Sequence, residues 1–204
     1  MKRSVALLFG PLGAAIFCVG VLVLAAMVPG YSHVHQTVSE IGAMGTPLQI
    51  PFTALLICVG LCMWVFAWGI WQASAAAGRN RFTALLLVCA GISCVGVGIF
   101  STPHPLHNVF GLSEIVGYQA PLAFALAWRK APKAQLIVAV SWLFFVLLWV
   151  SMGLNMSMMR PDSGLAMAVM PIYGLVQRSL FLVWFGWCAI VGVLLWRREH
   201  EAAK

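Results

Sequence analysis

Residues 48–75 read LQIPFTALLICVGLCMWVFAWGIWQASA, a run of 28 residues without one Asp, Glu, Lys or Arg. A helix rises about 1.5 Å per residue, so roughly 20 apolar residues cross a bilayer's hydrocarbon core. A helix also closes its own backbone hydrogen bonds, which is what lets it sit in hydrocarbon. Five further runs of this kind flank the first: 5–28, 83–100, 112–128, 135–154 and 171–196. None has the short apolar–polar alternation of a membrane β-barrel strand. The expected fold is an all-α, polytopic bundle of six transmembrane helices, with residues 1–204 as one domain.

Composition agrees. Of 204 residues, 62% are hydrophobic and 8% charged, and the mean hydropathy is +0.97. Soluble domains carry about 25% charged residues. A soluble globular domain, a disordered chain and a nucleic-acid-binding module are therefore excluded. The net charge of +7 has a topological explanation. Lys2 and Arg3, Arg79 and Arg81, Arg129, Lys130 and Lys133, and Arg197, Arg198 and Lys204 all fall on one side of a six-span chain. Arg160 and Arg178 are the remaining basic residues. By the positive-inside rule both termini are expected in the cytoplasm. The basic start followed by an apolar run resembles a secretory signal, but the run is too long and lacks an A-x-A site, so it reads as a retained anchor. The six cysteines, Cys58 and Cys62 among them, all lie inside the expected helices and read as packing residues.

The other polar residues gather on the opposite side. His33, His35, His104 and His107 follow the first and third runs, with Ser39, Glu40, Ser113 and Glu114 close by. Asp162 and Arg160 lie in the third outer loop, and Arg178 lies seven residues beyond Pro171. That is roughly 10 Å along the sixth helix from its outer end. Ser-Glu-Ile follows a histidine pair in both loops, at 39–41 and 113–115, an echo that suggests a duplicated hairpin. On a helix, His107, Gly111, Glu114 and Tyr118 form one stripe.

Histidine and carboxylate on adjacent turns suit a metal, a proton relay or an acid–base pair. Zn is the metal for His33, His35, His104 and His107. Glu40 and Glu114 are the candidate catalytic carboxylates. The plainer alternative is interfacial histidines, because no His-Glu-x-x-His or Cys-x-x-Cys is present. Haem is disfavoured, since these histidines lie at helix ends. An intramembrane charge is costly and is usually paired, so Glu114 is expected to pair with Arg178. That pair reads either as a packing salt bridge or as a site in which Arg178, with Gln177 beside it, binds a lipid headgroup or a small anion. Ser39, Ser113 and Tyr118 complete the candidate binding set. Trp64, Trp68 and Trp71 form a lipid-facing or packed stripe, and Trp128 and Trp196 an interfacial belt. The segment 155–159, Asn-Met-Ser-Met-Met, reads as loop packing or an outer gate.

The loop 30–45, GYSHVHQTVSEIGAMG, resembles the bacterial and archaeal membrane family known as domain of unknown function 998. The segments 104–108 and 174–179 are similar to further parts of it. The resemblance implies a six-helix integral membrane protein, favours a prokaryotic plasma membrane, and brings no assigned reaction. Ser39, Glu40, His107 and Arg178 match its polar segments.

The expected function is an outward-facing His/Glu/Arg cluster that binds or senses a ligand, with membrane lipids as surroundings. The alternatives are a metal-dependent enzyme acting on lipid or lipid-linked substrates at the outer leaflet, and a proton-coupled transporter. Whether the protein is an enzyme stays open at this point. Shared metal ligation requires His35 and His107 to lie within about 12 Å, given roughly 2 Å per bond.

Overall fold

Proline decides where these helices bend. A proline inside a helix lacks the N–H that would bond the carbonyl four residues back, and its ring crowds that carbonyl. Pro11, Pro121 and Pro171 stand in this relation to Leu7, Gly117 and Met167. Each marks an interrupted span. Pro51 and Pro105 fall in first turns, where the N–H has no intrahelical partner anyway, and interrupt nothing.

The structure, a computed structural model, describes residues 3–202. The first span is α1 (Arg3–Leu7) and α2 (Phe9–Ala26). A loop containing a 3-10 turn, Val38–Gly42, leads to α3 (Gln49–Ala76) and then α4 (Phe82–Ile99). The fourth span is α5 (Pro105–Gly117) and α6 (Ala120–Trp128), and the fifth is α7 (Gln135–Ser157). The sixth is α8 (Gly164–Val169), a 3-10 turn Met170–Ile172, and α9 (Tyr173–Ala202). Six helical stretches are long and apolar enough to cross a membrane, and no strand occurs among the described residues. The chain is a multi-pass, all-helical membrane protein.

Two spans begin earlier than expected. The fourth starts at Pro105 rather than 112, and the sixth at Gly164 rather than 171. Polar caps explain both. His104 Nδ1 accepts from the Leu106 N–H at 3.1 Å, and Ser163 Oγ from the Ala166 N–H at 3.2 Å. The stretch expected as a second histidine loop is therefore a helix start.

Each span packs on its neighbours in sequence, and α9 packs back on α2, so the six close into a ring. Close approach depends on small residues. A Cβ on Gly117 would sit 2.5 Å from Ala90 Cβ, and one on Gly60 would sit 3.0 Å from the Gly91 carbonyl oxygen. Trp64 lies over Gly91 and donates to Val88 O at 3.1 Å, so this member of the stripe is packed between helices. Trp68 is exposed. Within the fourth span, α5 packs chiefly on α4, while α6 packs on α4 and α7. The wall between α5 and α7 is thus less tightly closed than the rest.

At one end of the bundle the basic segments meet. Arg79 Nη2 donates to Lys130 O at 2.9 Å, and Arg198 Nη1 to Pro132 O at 2.7 Å and Lys133 O at 3.1 Å. Trp128, expected in an interfacial belt, is 2% exposed and donates to Ser74 Oγ at 3.3 Å. Arg198 lies over its ring at 5.5 Å. The neighbouring helices and this cation cover the indole, so it is core.

Candidate functional site

Arg178 sits near the N-terminal end of α9, half-buried, and it organises the loop between the first and second spans. Its Nη1 donates to three carbonyls: His33 at 3.0 Å, Gln36 at 2.7 Å and Gly174 at 2.8 Å. Its Nη2 donates to the Tyr31 hydroxyl, and the guanidinium lies 5.5 Å from the Tyr31 ring. The Tyr31 hydroxyl in turn donates to Thr37 O at 2.6 Å. Burial raises the Tyr31 phenol despite the guanidinium beside it, which keeps the proton this bond needs. Gln177, one residue earlier, accepts from the Val38 N–H at 2.7 Å. His35 Nδ1 meets Pro171 O at 2.6 Å. The last span therefore grips the loop after the first by several independent bonds.

Glu40 belongs to this loop and caps its 3-10 turn. The Thr37 N–H and hydroxyl donate to Oε1 at 3.0 and 2.8 Å, and Gln36 Nε2 donates to Oε2 at 3.1 Å. Burial works to raise this carboxyl, but those hydrogen bonds and the Arg178 charge outweigh it and hold it below its ordinary 4.5. A depressed folded value stabilises the cap above 4.5, and the contribution is lost as pH falls through the lower folded value. The protection of the Val38–Gly42 amides, taken relative to intrinsic exchange at each pH, is expected to fall in that acidic window in the wild type. Glu40→Gln should show a flat response. An unchanged pH response in that variant would remove the carboxylate from this role.

The expected Glu114–Arg178 pair does not form. Glu114 Oε2 accepts from the Tyr118 hydroxyl at 2.6 Å, and Arg178 is taken up by the loop. The reason is local. The carbonyls of residues 33 and 36 reach the guanidinium from the adjacent loop, whereas Glu114 finds a donor one turn along its own helix. The Arg178 Nε is buried without a partner among the described residues.

Between the helix halves on the side away from the basic segments lies a cavity of about 520 Å³. Its rim carries Thr37, Ser39, His107, Asn108, Tyr173 and Gln177. One wall is methionine-rich, with Met152, Met156, Met158 and Met159. Deeper down stand Glu114, Tyr118 and Cys94 among apolar side chains, and the aromatic groups Phe17, Phe181, Trp184 and Phe185. No Lys or Arg lines it among the described residues. The stripe His107, Gly111, Glu114 and Tyr118 lies on this wall in full.

Other candidates are placed elsewhere. Ser113 Oγ pairs with Ser93 Oγ at 2.7 Å, a bond between α5 and α4. His104 is a cap, and the His33 ring lies edge-on to Tyr31 at 5.3 Å. His107 Nδ1 meets Phe100 O at 2.8 Å. No group of three or more His, Cys, Asp or Glu stands close enough to hold a metal ion among the described residues. The two Ser-Glu-Ile segments differ in form, one a 3-10 turn and the other part of α5. Among residues not singled out beforehand, Asn108 and Trp184 line the cavity. Asn155 on its methionine wall donates to Ser151 O at 2.8 Å and to Val176 O at 3.2 Å, tying α7 to α9. Asn155 is an amide near the end of an otherwise apolar span, a signal available in the sequence.

No curated protein and no solved structure matches the chain. A family model does, over residues 11–194, which takes in the loop after the first span, the Arg178 clamp and the whole cavity wall. The chain belongs to the family described as Protein of unknown function (DUF998).

Proposed function

We propose that this protein is a membrane-embedded binding protein for an amphipathic small molecule, held in the cavity on its outer half. The observation that carries the reading is the cavity itself: about 520 Å³, mostly apolar, with a polar rim. Pockets for drug-sized molecules run from roughly 300 to 1,000 Å³ and have this mixture of surfaces. The methionine wall supports it, because unbranched thioether chains adapt to a ligand's shape. The looser packing between α5 and α7 supports a route in from the bilayer. The basic segments at the far end support a cytoplasmic side for that end, and the family resemblance supports a prokaryotic plasma membrane. The Arg178 clamp is the scaffold of the rim. Its terminal nitrogens already have acceptors, so the ligand's anchor is sought at Glu114 rather than in an anion site.

Gly111 offers a test. A Cβ there meets nothing within 4 Å, and the residue lies on the cavity wall. Phenylalanine at this position occupies the open space, and it recovers about half of the roughly 1 kcal/mol that glycine costs relative to alanine inside a helix. Gly111→Phe is expected to melt no lower than wild type and to lose the bound molecule. Mass spectrometry of protein extracted from its native membrane, compared with bulk lipid, checks this. Wild type should retain about one small amphiphile per chain and the variant none. The same molecules in both proteins, or none above bulk lipid in wild type, would overturn the reading.

A further inference from the structure

We infer that the cavity selects an organic monocation, an apolar body carrying one positive charge, with Glu114 as its counter-ion. The inference rests on the binding reading above and adds the chemical class of the ligand.

Charge is the first argument. Glu114 is the acidic residue of the lining, and no lysine or arginine faces it from any described wall. The nearest candidate, Arg178, is engaged by three carbonyls and Tyr31. The other ionisable groups on the wall are Cys94, Tyr118, Tyr173 and His107, none of them a permanent cation. Oε2 of Glu114 has the Tyr118 hydroxyl at 2.6 Å, while Oε1 takes no hydrogen bond from the described residues. A carboxyl group in an apolar, membrane-depth cavity is costly unless something compensates it. A ligand cation at the open oxygen supplies that compensation, and a ligand anion would add to the cost.

The aromatic surroundings are the second argument, independent of the first. Tyr118, which bonds Glu114, meets Trp184 edge-to-face at 5.2 Å. Trp184 is backed by Trp187, stacked at 5.8 Å. Across the cavity Phe17 stacks on Phe185 at 4.5 Å and meets Phe181 at 5.3 Å. Aromatic faces attract ammonium-type cations, most strongly where water is excluded. A carboxylate facing a cavity lined by tryptophan, tyrosine and phenylalanine rings is the chemistry that recognises such groups. The apolar side chains Leu56, Val59 and Met63, which also line the cavity, would take the ligand's hydrocarbon.

Three probes separate the possibilities in lipid nanodiscs, with empty discs subtracted: tetraphenylphosphonium, its anionic counterpart of the same shape tetraphenylborate, and neutral triphenylphosphine oxide. Wild type should bind the cation about tenfold more tightly than the neutral probe, with the anion weakest. Glu114→Gln keeps an acceptor for the Tyr118 hydroxyl, so it should fold, and it should abolish the preference. Glu114→Asp, which keeps the charge, should retain most of it. Equal binding of cation and neutral probe, or a preference surviving in Glu114→Gln, overturns the cation assignment, as does the absence of saturable tetraphenylphosphonium binding. Gly111→Phe separates the two readings. If it abolishes binding of probes that show no charge preference, the cavity stands and the cation falls. If binding persists in it unchanged, both fall.

Discussion

Replacing Arg178 with alanine is expected to destabilise the protein by about 3–5 kcal/mol, read by thermal or denaturant unfolding in detergent. The magnitude follows from what is left behind. The carbonyls of His33, Gln36 and Gly174 all accept from Nη1, and the Tyr31 hydroxyl accepts from Nη2. Hydrogen bonds from a charged donor are worth about 1.5–3 kcal/mol each, and an orphaned buried acceptor costs about 1–3 kcal/mol. Sharing among acceptors and entry of water bring the total below the simple sum. Arg178→Lys should recover only part, because an ammonium cannot reproduce a planar fork that faces Tyr31 and the carbonyls together. Tyr31→Phe should cost about 2 kcal/mol, through the lost bond to Thr37 O and the lost acceptor of Arg178 Nη2. An Arg178→Ala protein as stable as wild type would mean that the loop is held by Gln177 and His35 alone.

The membrane spans were legible because hydropathy is summed over many residues, so no single residue decides it. The breaks were legible in principle, since Pro11, Pro121 and Pro171 sit in apolar runs, but a hydropathy window averages across them. The caps were not, because His104 and Ser163 read as loop residues until their side chains are seen accepting from the next turn. The site divides in the same way. The stripe from His107 to Tyr118 follows from helical period alone, and all four members line the cavity. The Glu114–Arg178 pairing failed because a sequence displays side chains and hides carbonyls. The best acceptors for Arg178 are backbone oxygens of a loop some 140 positions away. The two Ser-Glu-Ile segments take different forms for a related reason. In the first copy Thr37 turns the glutamate into a cap, while in the second Tyr118 one turn on makes it a helical partner.

Alanine in place of three helical glycines should produce opposite signs, and the sign depends on what the new methyl meets. In a helix, Gly→Ala is worth about 0.5–1 kcal/mol in the folded state's favour where space allows. Gly111 is such a place, with nothing within 4 Å of a Cβ, and Gly111→Ala should stabilise by that amount. At Gly174 the methyl would lie 2.5 Å from Gln36 O, 2.6 Å from His33 O and 2.9 Å from the Val34 carbonyl carbon. All three are backbone atoms, which cannot swing aside as a side chain does. Two of them are the carbonyls that Arg178 holds, so moving them also loosens the clamp. At Gly192 the methyl would lie 2.6 Å from Leu7 O, the carbonyl freed by Pro11, and 3.0 Å from Pro11 Cδ. Overpacking against atoms held this way costs about 1–3 kcal/mol, enough to exceed the helical gain. Gly174→Ala and Gly192→Ala should therefore both unfold more readily than wild type, with Gly174→Ala the worse because it strains packing and clamp together. If Gly174→Ala proved as stable as Gly111→Ala, the last span would not press on the first loop, and the rim of the cavity would need another support.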